Sequence, residues 1–158
     1  MSKSKLCRSA ILLALLLSPA FNLGQQASQR VHSWQVFMNT PGAKEAAAKL
    51  LGHCGDASTQ DVMNACFAME FKNADQKMNA VYQATLKQLS HEDQQRVRTV
   101  QRAWLQYREL HCQTVGALQA GGGSLEPTEI FSCKTDSTKA RTKEIQTSYG
   151  SPEDSKQD

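Results

Sequence analysis

The sequence has no apolar run long enough to cross a membrane. Its longest run, Ala10 to Leu17, has eight residues, whereas a membrane-spanning helix needs about 20. Three basic residues precede this run and Ser18-Pro19-Ala20 follows it, which is the order of a basic head, an apolar stretch and a small-residue cleavage site. The pattern predicts a secretory signal peptide over residues 1–24. A lipid anchor would need a cysteine directly after the apolar run, and Cys7 lies before it, so we expect a soluble periplasmic or secreted protein.

Without the signal peptide, the chain has no excess of either charge. Residues 1–20 hold three of the 18 Lys and Arg residues and none of the 15 Asp and Glu residues, so the remainder is formally neutral. A neutral chain lacks the electrostatic attraction that drives binding to nucleic acid or to an acidic membrane surface. The sequence therefore predicts neither of these partners.

The cysteines show no spacing that is typical of a metal site. Beyond Cys7 the chain has four: Cys54, Cys66, Cys112 and Cys133. An even number in an exported chain is typical of disulfides. His53-Cys54 and His111-Cys112 place a nitrogen beside a sulfur twice, but the chain has no C-x-x-C or H-x-x-x-H pair, which are the common zinc spacings. We expect two disulfides, no free catalytic thiol, no metal and no other cofactor.

The two ends of the mature chain read as irregular. Residues 25–53 form a polar leader whose apolar cluster contains Trp34, with a short helix predicted over Pro41 to Leu51. Residues 150–158 have the polar composition of a disordered tail. We place the structured domain at residues 54–149.

Three helices are predicted within that domain, and nothing reads as a strand. Ser58 is the expected N-cap of a first helix that runs to about Leu89, and Ser90 caps a second helix that the glycines at 121–123 end. Pro127 lies in the first turn of a third helix that reaches about position 149. The sequence predicts an all-α fold: an antiparallel helical hairpin of two long helices plus a third packed helix, stapled by disulfides.

Residues at helical spacing, most of them apolar, predict which face of each helix is buried. For the first helix these are Met63, Phe67, Phe71, Ala74, Met78, Tyr82, Thr85 and Leu89. For the second they are Val97, Val100, Trp104, Arg108, His111, Val115 and Leu118, and for the third Ile130, Cys133, Arg141 and Ile145.

A tight turn near residue 90 makes the two long helices antiparallel, which predicts the residues that lie at equal height. Asp75 is then level with Arg108, and both face the partner helix. We expect them to form a structural ion pair, with Asn79 and Gln101 completing its hydrogen bonds.

The same geometry leads to a prediction for the disulfides. Cys66 and Cys112 are level, but if Asp75 pairs with Arg108, then Cys112 points away from Cys66. The glycine turn also brings Cys133 level with Cys112. We favour Cys54 bonded to Cys112 and Cys66 bonded to Cys133.

Two segments resemble a known family. The first is C-x4-T-x3-M-N-x-C-x4-F-x2-A-D-x2-M-N-x2-Y from Cys54 to Tyr82, and the second is Q-R-A-W-x2-Y-R-x3-C from Gln101 to Cys112. Together they resemble the LprI-type lysozyme-inhibitor domain of bacterial envelope proteins, over about residues 54–145. The resemblance implies a small exported domain that is all-helical and disulfide-bonded, and some members of the family are credited with inhibiting lysozyme.

No set of acid, base and nucleophile assembles in this sequence, so we expect no enzyme. The hypothesis is an exported envelope protein that binds a protein partner, with a lysozyme as the partner that the resemblance implies. The alternative is an envelope adaptor or stress-related interaction module that does not inhibit lysozyme. Candidate partner-surface residues are Trp34, Tyr107, Ser124 and Glu126. The oligomeric state stays open, because a bundle with a thin third helix could complete its core by self-association.

Overall fold

The computed structural model describes residues 39–40 and 42–149. The predicted signal peptide, the tail at 150–158 and Trp34 lie outside the described residues. Within them the chain forms four α-helices and one 3-10 turn, with no strand. The helices are α1 (Ala43–Ala48), α2 (Gln60–Gln88), α3 (His91–Ala120) and α4 (Glu126–Tyr149), and the 3-10 turn is Cys54–Asp56. The all-α prediction is confirmed, and α1 is shorter than the predicted helix.

Short polar side chains start the two longest helices. The N-cap of α2 is Thr59, one residue after the predicted Ser58, and its side chain accepts a hydrogen bond from the backbone N–H of Val62 at 3.3 Å. Ser90 caps α3 as predicted: its hydroxyl accepts from the backbone N–H of Asp93 at 3.2 Å and donates to the Asp93 carboxylate at 2.7 Å. The chain therefore reverses between α2 and α3 within two residues.

Glycine ends α3. Gly121 adopts the left-handed conformation with φ 60°, and its N–H donates to the carbonyl of Ala117 at 3.0 Å. This conformation costs glycine little because it has no Cβ. Residues 121–125, here called the glycine turn, then lead into α4.

The three long helices run up, down and up. α4 packs along both α2 and α3, so it occupies the groove between the two arms of the hairpin. The short helix α1 packs beside the start of α2, where its buried Ala43 and Ala47 join Ala65 and the buried Cys54 and Cys66. Small side chains at these positions allow the two helix backbones to approach closely.

The inner face of α3 differs from the predicted one. The helix buries Val97, Gln101, Arg108, Cys112 and Gly116, which face α2 and α4. Apolar spacing had placed three other residues inside that are exposed, namely Val100, His111 and Leu118. The prediction failed at these three positions because it followed mainly apolar spacing, whereas the buried face of α3 includes the polar Gln101 and the small Gly116.

The third helix also buries more polar residues than predicted. α4 buries four threonines: Thr128, Thr135, Thr138 and Thr142. The hydroxyls of Thr135 and Thr142 each donate at 2.8 Å to a backbone carbonyl four residues earlier. A threonine that satisfies its own hydroxyl in this way can be buried beside apolar neighbours at little cost.

The favoured disulfide pairing is wrong. The bonds are Cys54–Cys66 and Cys112–Cys133, each with a Cα–Cα distance of 5.5 Å. Cys54 returns to α2 because the chain reverses through the 3-10 turn and the residues up to Thr59. Cys112 faces α4 and meets Cys133, which the glycine turn had been predicted to bring level with it.

Candidate functional site

A column of stacked cations and aromatic rings runs through the bundle. Lys134 Nζ lies 5.7 Å from the centre of the Phe71 ring, and the Arg108 guanidinium lies 5.0 Å from the centre of the same ring. Arg108 is also 5.0 Å from the Trp104 ring, against which Arg141 packs at 5.7 Å. All three cations are nearly inaccessible, with side-chain exposures of 4%, 9% and 2% for Lys134, Arg108 and Arg141. This cation–aromatic column joins α2, α3 and α4.

The predicted ion pair lies at the middle of the column. Arg108 Nη1 donates to Asp75 Oδ1 at 2.8 Å and to the hydroxyl of Thr138 at 2.8 Å. Asn79 donates to the other carboxylate oxygen of Asp75 at 3.1 Å, as predicted. One arginine thus connects all three long helices.

Gln101 has a different role from the predicted one. Its side-chain carbonyl accepts from Arg141 Nε at 3.0 Å, and its amide donates to the sulfur of Met78 at 3.6 Å. It therefore holds the second arginine of the column instead of completing the Asp75–Arg108 pair. Arg141 also forms an ion pair with Glu144 at 2.8 Å.

The third cation has a carboxylate partner on α3. Lys134 Nζ lies 2.8 Å from Glu109 Oε2, and Gln113 donates to Glu109 Oε1 at 2.9 Å. Burial alone would raise the pKa of Glu109. The hydrogen bond and positive charge of Lys134, the hydrogen bond from Gln113 and the charge of Arg108 outweigh burial, so the pKa of Glu109 lies below its ordinary value.

A buried asparagine of α2 is hydrogen-bonded to the glycine turn. Asn64 is 4% exposed, and its amide donates to the backbone carbonyl of Ser124 at 3.3 Å. Its side-chain oxygen accepts from the hydroxyl of Thr128 at 2.7 Å and from the Gln60 amide at 3.0 Å. The sequence alone does not predict this role for Asn64, although the residue belongs to the M-N-x-C segment of the family motif.

Both disulfides lie at the end of the bundle that carries the glycine turn. Cys112–Cys133 joins the two helices on either side of the turn, and Cys54–Cys66 fastens the start of α2. Asn64 lies within the loop that the second of these bonds closes. The opposite end, where Ser90 connects α2 to α3, has no covalent link among the described residues.

Two of the predicted partner-surface residues lie at the turn, and one lies elsewhere. Ser124 is exposed and Glu126 is half-buried in the first turn of α4. Tyr107 is 59% exposed on α3 and stacks on His111, with the ring centres 5.3 Å apart. Fourteen residues of helix, about 21 Å at 1.5 Å per residue, separate Tyr107 from the turn. These residues therefore do not form one surface.

The described residues show no arrangement suited to metal binding, because no group of three His, Cys, Asp or Glu side chains converges there.

A groove of about 520 Å³ runs beside the end of α1, lined mainly by Leu51, Glu70, Lys77 and Lys139. Glu70 is already engaged, since it accepts from the Gly52 N–H at 2.8 Å. Across residues 42–149, no helix is both long enough and apolar enough for a membrane crossing.

Comparison with known proteins places these features in one family. The family described as lysozyme inhibitor LprI matches residues 53–145. An uncharacterized protein of Rhizobium meliloti (strain 1021) is 32% identical over 105 residues, which cover 58% of this chain and 75% of that protein. No solved structure matches the chain significantly. The family match spans both disulfides, the cation–aromatic column and the glycine turn, and the chain belongs to the LprI lysozyme-inhibitor family.

Proposed function

We propose that this protein is an exported, non-enzymatic binding protein of the cell envelope that inhibits a lysozyme, and that the glycine turn enters the substrate cleft of the enzyme. Membership of the LprI family supports the choice of partner. The observation that carries the choice of surface is the anchoring of an exposed turn by Asn64 between two disulfides.

Rigidity is the property that suits this turn to inhibition. A loop that is already ordered loses little conformational entropy on binding, so more of its contact energy appears as affinity. Four of its five residues, Gly121 to Ser124, are small, and the fifth is Leu125; every residue from 121 to 125 is exposed. An exposed turn made mostly of small residues can enter a cleft that is too narrow for a helix.

The disulfides support export. Both bonds are of the kind that persists in the periplasm or outside the cell, while cytosolic reductants keep most thiols reduced. The predicted signal peptide over residues 1–24 agrees with this location. We therefore place the inhibitor where lysozymes attack the cell wall.

A lysis assay tests the proposal. The oxidised protein is titrated against several types of lysozyme acting on cell-wall substrate, and inhibition of at least one type is expected at micromolar protein. Reduction should weaken the inhibition because it releases both arms of the turn. Absence of inhibition of every lysozyme at micromolar excess would contradict the proposal and favour the adaptor alternative.

Two substitutions locate the surface. Ser124→Trp adds a bulky side chain to the exposed turn and should reduce inhibition at least about tenfold, whereas Ser148→Trp, exposed near the end of α4, should leave it unchanged. Asn64→Ala removes the anchor and should weaken inhibition, with the exposed Asn73→Ala as its matched control. Equal inhibition by Ser124→Trp and Ser148→Trp would place the inhibitory surface elsewhere.

A further inference from the structure

A pocket of about 260 Å³ lies between the two arms of the hairpin. Its lining comes from α2 and α3 and consists of Asn79, Tyr82, Arg98, Gln101, Arg102 and Leu105. We call it the hairpin pocket. Its volume is slightly below the roughly 300 Å³ at which pockets for whole small molecules begin. The hairpin pocket therefore suits one small chemical group of a ligand.

The two segments that carry the family resemblance meet in this pocket. Asn79 and Tyr82 belong to the end of the first segment, and Gln101 and Arg102 begin the second. The glycine turn is far from them, because Tyr82 lies 18 residues after Asn64 on α2, which is about 27 Å at 1.5 Å per residue. The inhibitory surface proposed above therefore assigns no function to these four residues.

Both arginines of the pocket lack a carboxylate partner. Arg98 Nη2 donates to the side-chain oxygen of Gln94 at 3.4 Å, and Arg102 Nη2 donates to the hydroxyl of Thr99 at 3.2 Å. The arginine ion pairs in the described part of the chain belong to other residues, and the lining contains no Asp or Glu. Two positive charges thus border the pocket without a neutralising anion among the described residues.

The other polar groups of the lining supply further donors and an acceptor. Gln101 is 4% exposed, and its amide nitrogen donates to the sulfur of Met78 at 3.6 Å, which is a weak acceptor. The Asn79 amide donates to Asp75, which leaves its side-chain oxygen as an acceptor. The hydroxyl of Tyr82 has no hydrogen-bond partner within the part of the chain that the structure describes. The lining can therefore donate to an anion and accept from a neighbouring hydroxyl.

We propose that the hairpin pocket binds the phosphate group of a phosphate monoester. Such a group carries between about 1.5 and 2 negative charges at neutral pH, which matches the two guanidinium groups, whereas a carboxylate has one charge. Guanidinium groups bind phosphate oxygens through paired, charge-assisted hydrogen bonds. Tyr82 and Gln101 donate to the remaining oxygens, and Asn79 accepts from a hydroxyl of the attached group.

Partial burial makes this site stronger than a pair of arginines on an open surface. Arg98 and Tyr82 are half-buried and Gln101 is buried, and Leu105 gives the lining an apolar edge. Charges attract each other more strongly in a recess from which water is partly excluded, and salt screens them less there. Arg102 is exposed, so the group attached to the phosphate has a route to solvent on that side.

Isothermal titration calorimetry of the full chain with both disulfides intact tests the ligand class. Glucose 1-phosphate should bind saturably with a Kd of about 1 mM or lower, and acetate should bind at least about tenfold more weakly. Inorganic phosphate is the second arm: weaker binding than glucose 1-phosphate assigns the site to a phosphorylated sugar, and equal binding assigns it to the phosphate group alone. Absence of saturable binding of either phosphate at about 10 mM, or equal binding of acetate, would overturn the proposal.

Substitution of the arginines tests the location of the site. Arg102→Gln removes the charge and should raise the Kd at least about tenfold, while Arg102→Lys keeps the charge without the planar fork and should raise it less. Arg98→Gln repeats the test on the second guanidinium. Arg96→Gln is the matched control, because Arg96 is exposed on the same helix and is paired with Glu92 and Asp93.

Thermal denaturation should show that these variants stay folded, because neither arginine of the pocket makes an ion pair in the described bundle. The control should bind glucose 1-phosphate as the wild type does. An equal loss of binding in Arg96→Gln and in Arg102→Gln would show that overall positive charge attracts the phosphate, and it would overturn the assignment to the hairpin pocket. Unchanged binding in both Arg98→Gln and Arg102→Gln would do the same.

Discussion

Gly116 controls how closely α4 can lie against α3. A Cβ atom at this position would overlap Cγ1 of Ile130 and lie 3.2 Å from the backbone carbonyl of Glu126. We predict that Gly116→Ala lowers the free energy of unfolding by about 1–3 kcal/mol through overpacking, although alanine is the better helix former. Urea denaturation measures the change. Gly55→Ala, where a Cβ meets open space, is the control, and equal stability of the two variants would contradict the close approach.

Glu109 should make the stability of the bundle depend on pH. Because its pKa is lowered in the folded protein, its contribution is fully present above the ordinary glutamate pKa of about 4.3 and is lost as the pH falls through the lower folded value. Glu109→Gln should therefore be less stable than the wild type at neutral pH, and the difference should shrink in acid. Unfolding free energies measured from pH 7 to pH 2 test this. A difference that does not depend on pH would show that charge is not its source.

At the scale of the helix, the sequence predicted the ends better than the faces. Ser90 and Gly121 define the limits of α3 through local hydrogen bonds and backbone conformation, and these depend on neighbouring residues alone. The buried face depends on the other helices. Gln101, Arg108 and Arg141 are inside because each meets a partner or a ring there, and the exposed Val100 and Leu118 could not be told from core residues by spacing.

For the disulfides too, features set by the helices were predicted and features set by irregular segments were not. The position of the glycine turn in the sequence correctly predicted that Cys133 lies level with Cys112, because this prediction required only the number of helical residues on each side of the turn. The choice of Cys54 as a partner failed because it depended on the path of residues 54–59, a short irregular segment without a periodic pattern. The candidate site shows the same difference. The Asp75–Arg108 pair was predicted from the register of the two helices, whereas the hydrogen bond from Asn64 to Ser124 depends on tertiary contact.

The disulfide that joins α3 to α4 should contribute more than the other disulfide to the stability of the glycine turn. Cys112–Cys133 closes a loop with a sequence separation of 21 residues. Replacing both cysteines by alanine should lower the free energy of unfolding by about 3 kcal/mol, because the unfolded chain regains the conformational entropy that the closed loop had removed. Denaturation curves of the two forms measure the loss. Peptide mapping of the unreduced wild type should recover Cys112 linked to Cys133 and Cys54 linked to Cys66, and any other linkage would contradict the fold.

Across the whole molecule, the two ends of the bundle should differ in stability. The glycine-turn end has both disulfides and the Asn64 hydrogen bonds, whereas the Ser90 end relies on the caps and on packing. Native-state hydrogen exchange should therefore show more frequent local opening around residues 86–92 than around residues 112–133. Reduction of the disulfides should remove much of this difference. Equal protection of the two ends in the oxidised protein would contradict the expected gradient.

Trp104 gives the core an optical reporter. Its indole packs against two buried guanidinium groups, those of Arg108 on the same helix and Arg141 on α4, so its emission depends on the packing of α4 against α3. The chain has two tryptophans, and Trp34→Phe would leave Trp104 as the single fluorophore. Its spectrum would then follow the packing of α4 against α3, with no added label and no change inside the described fold.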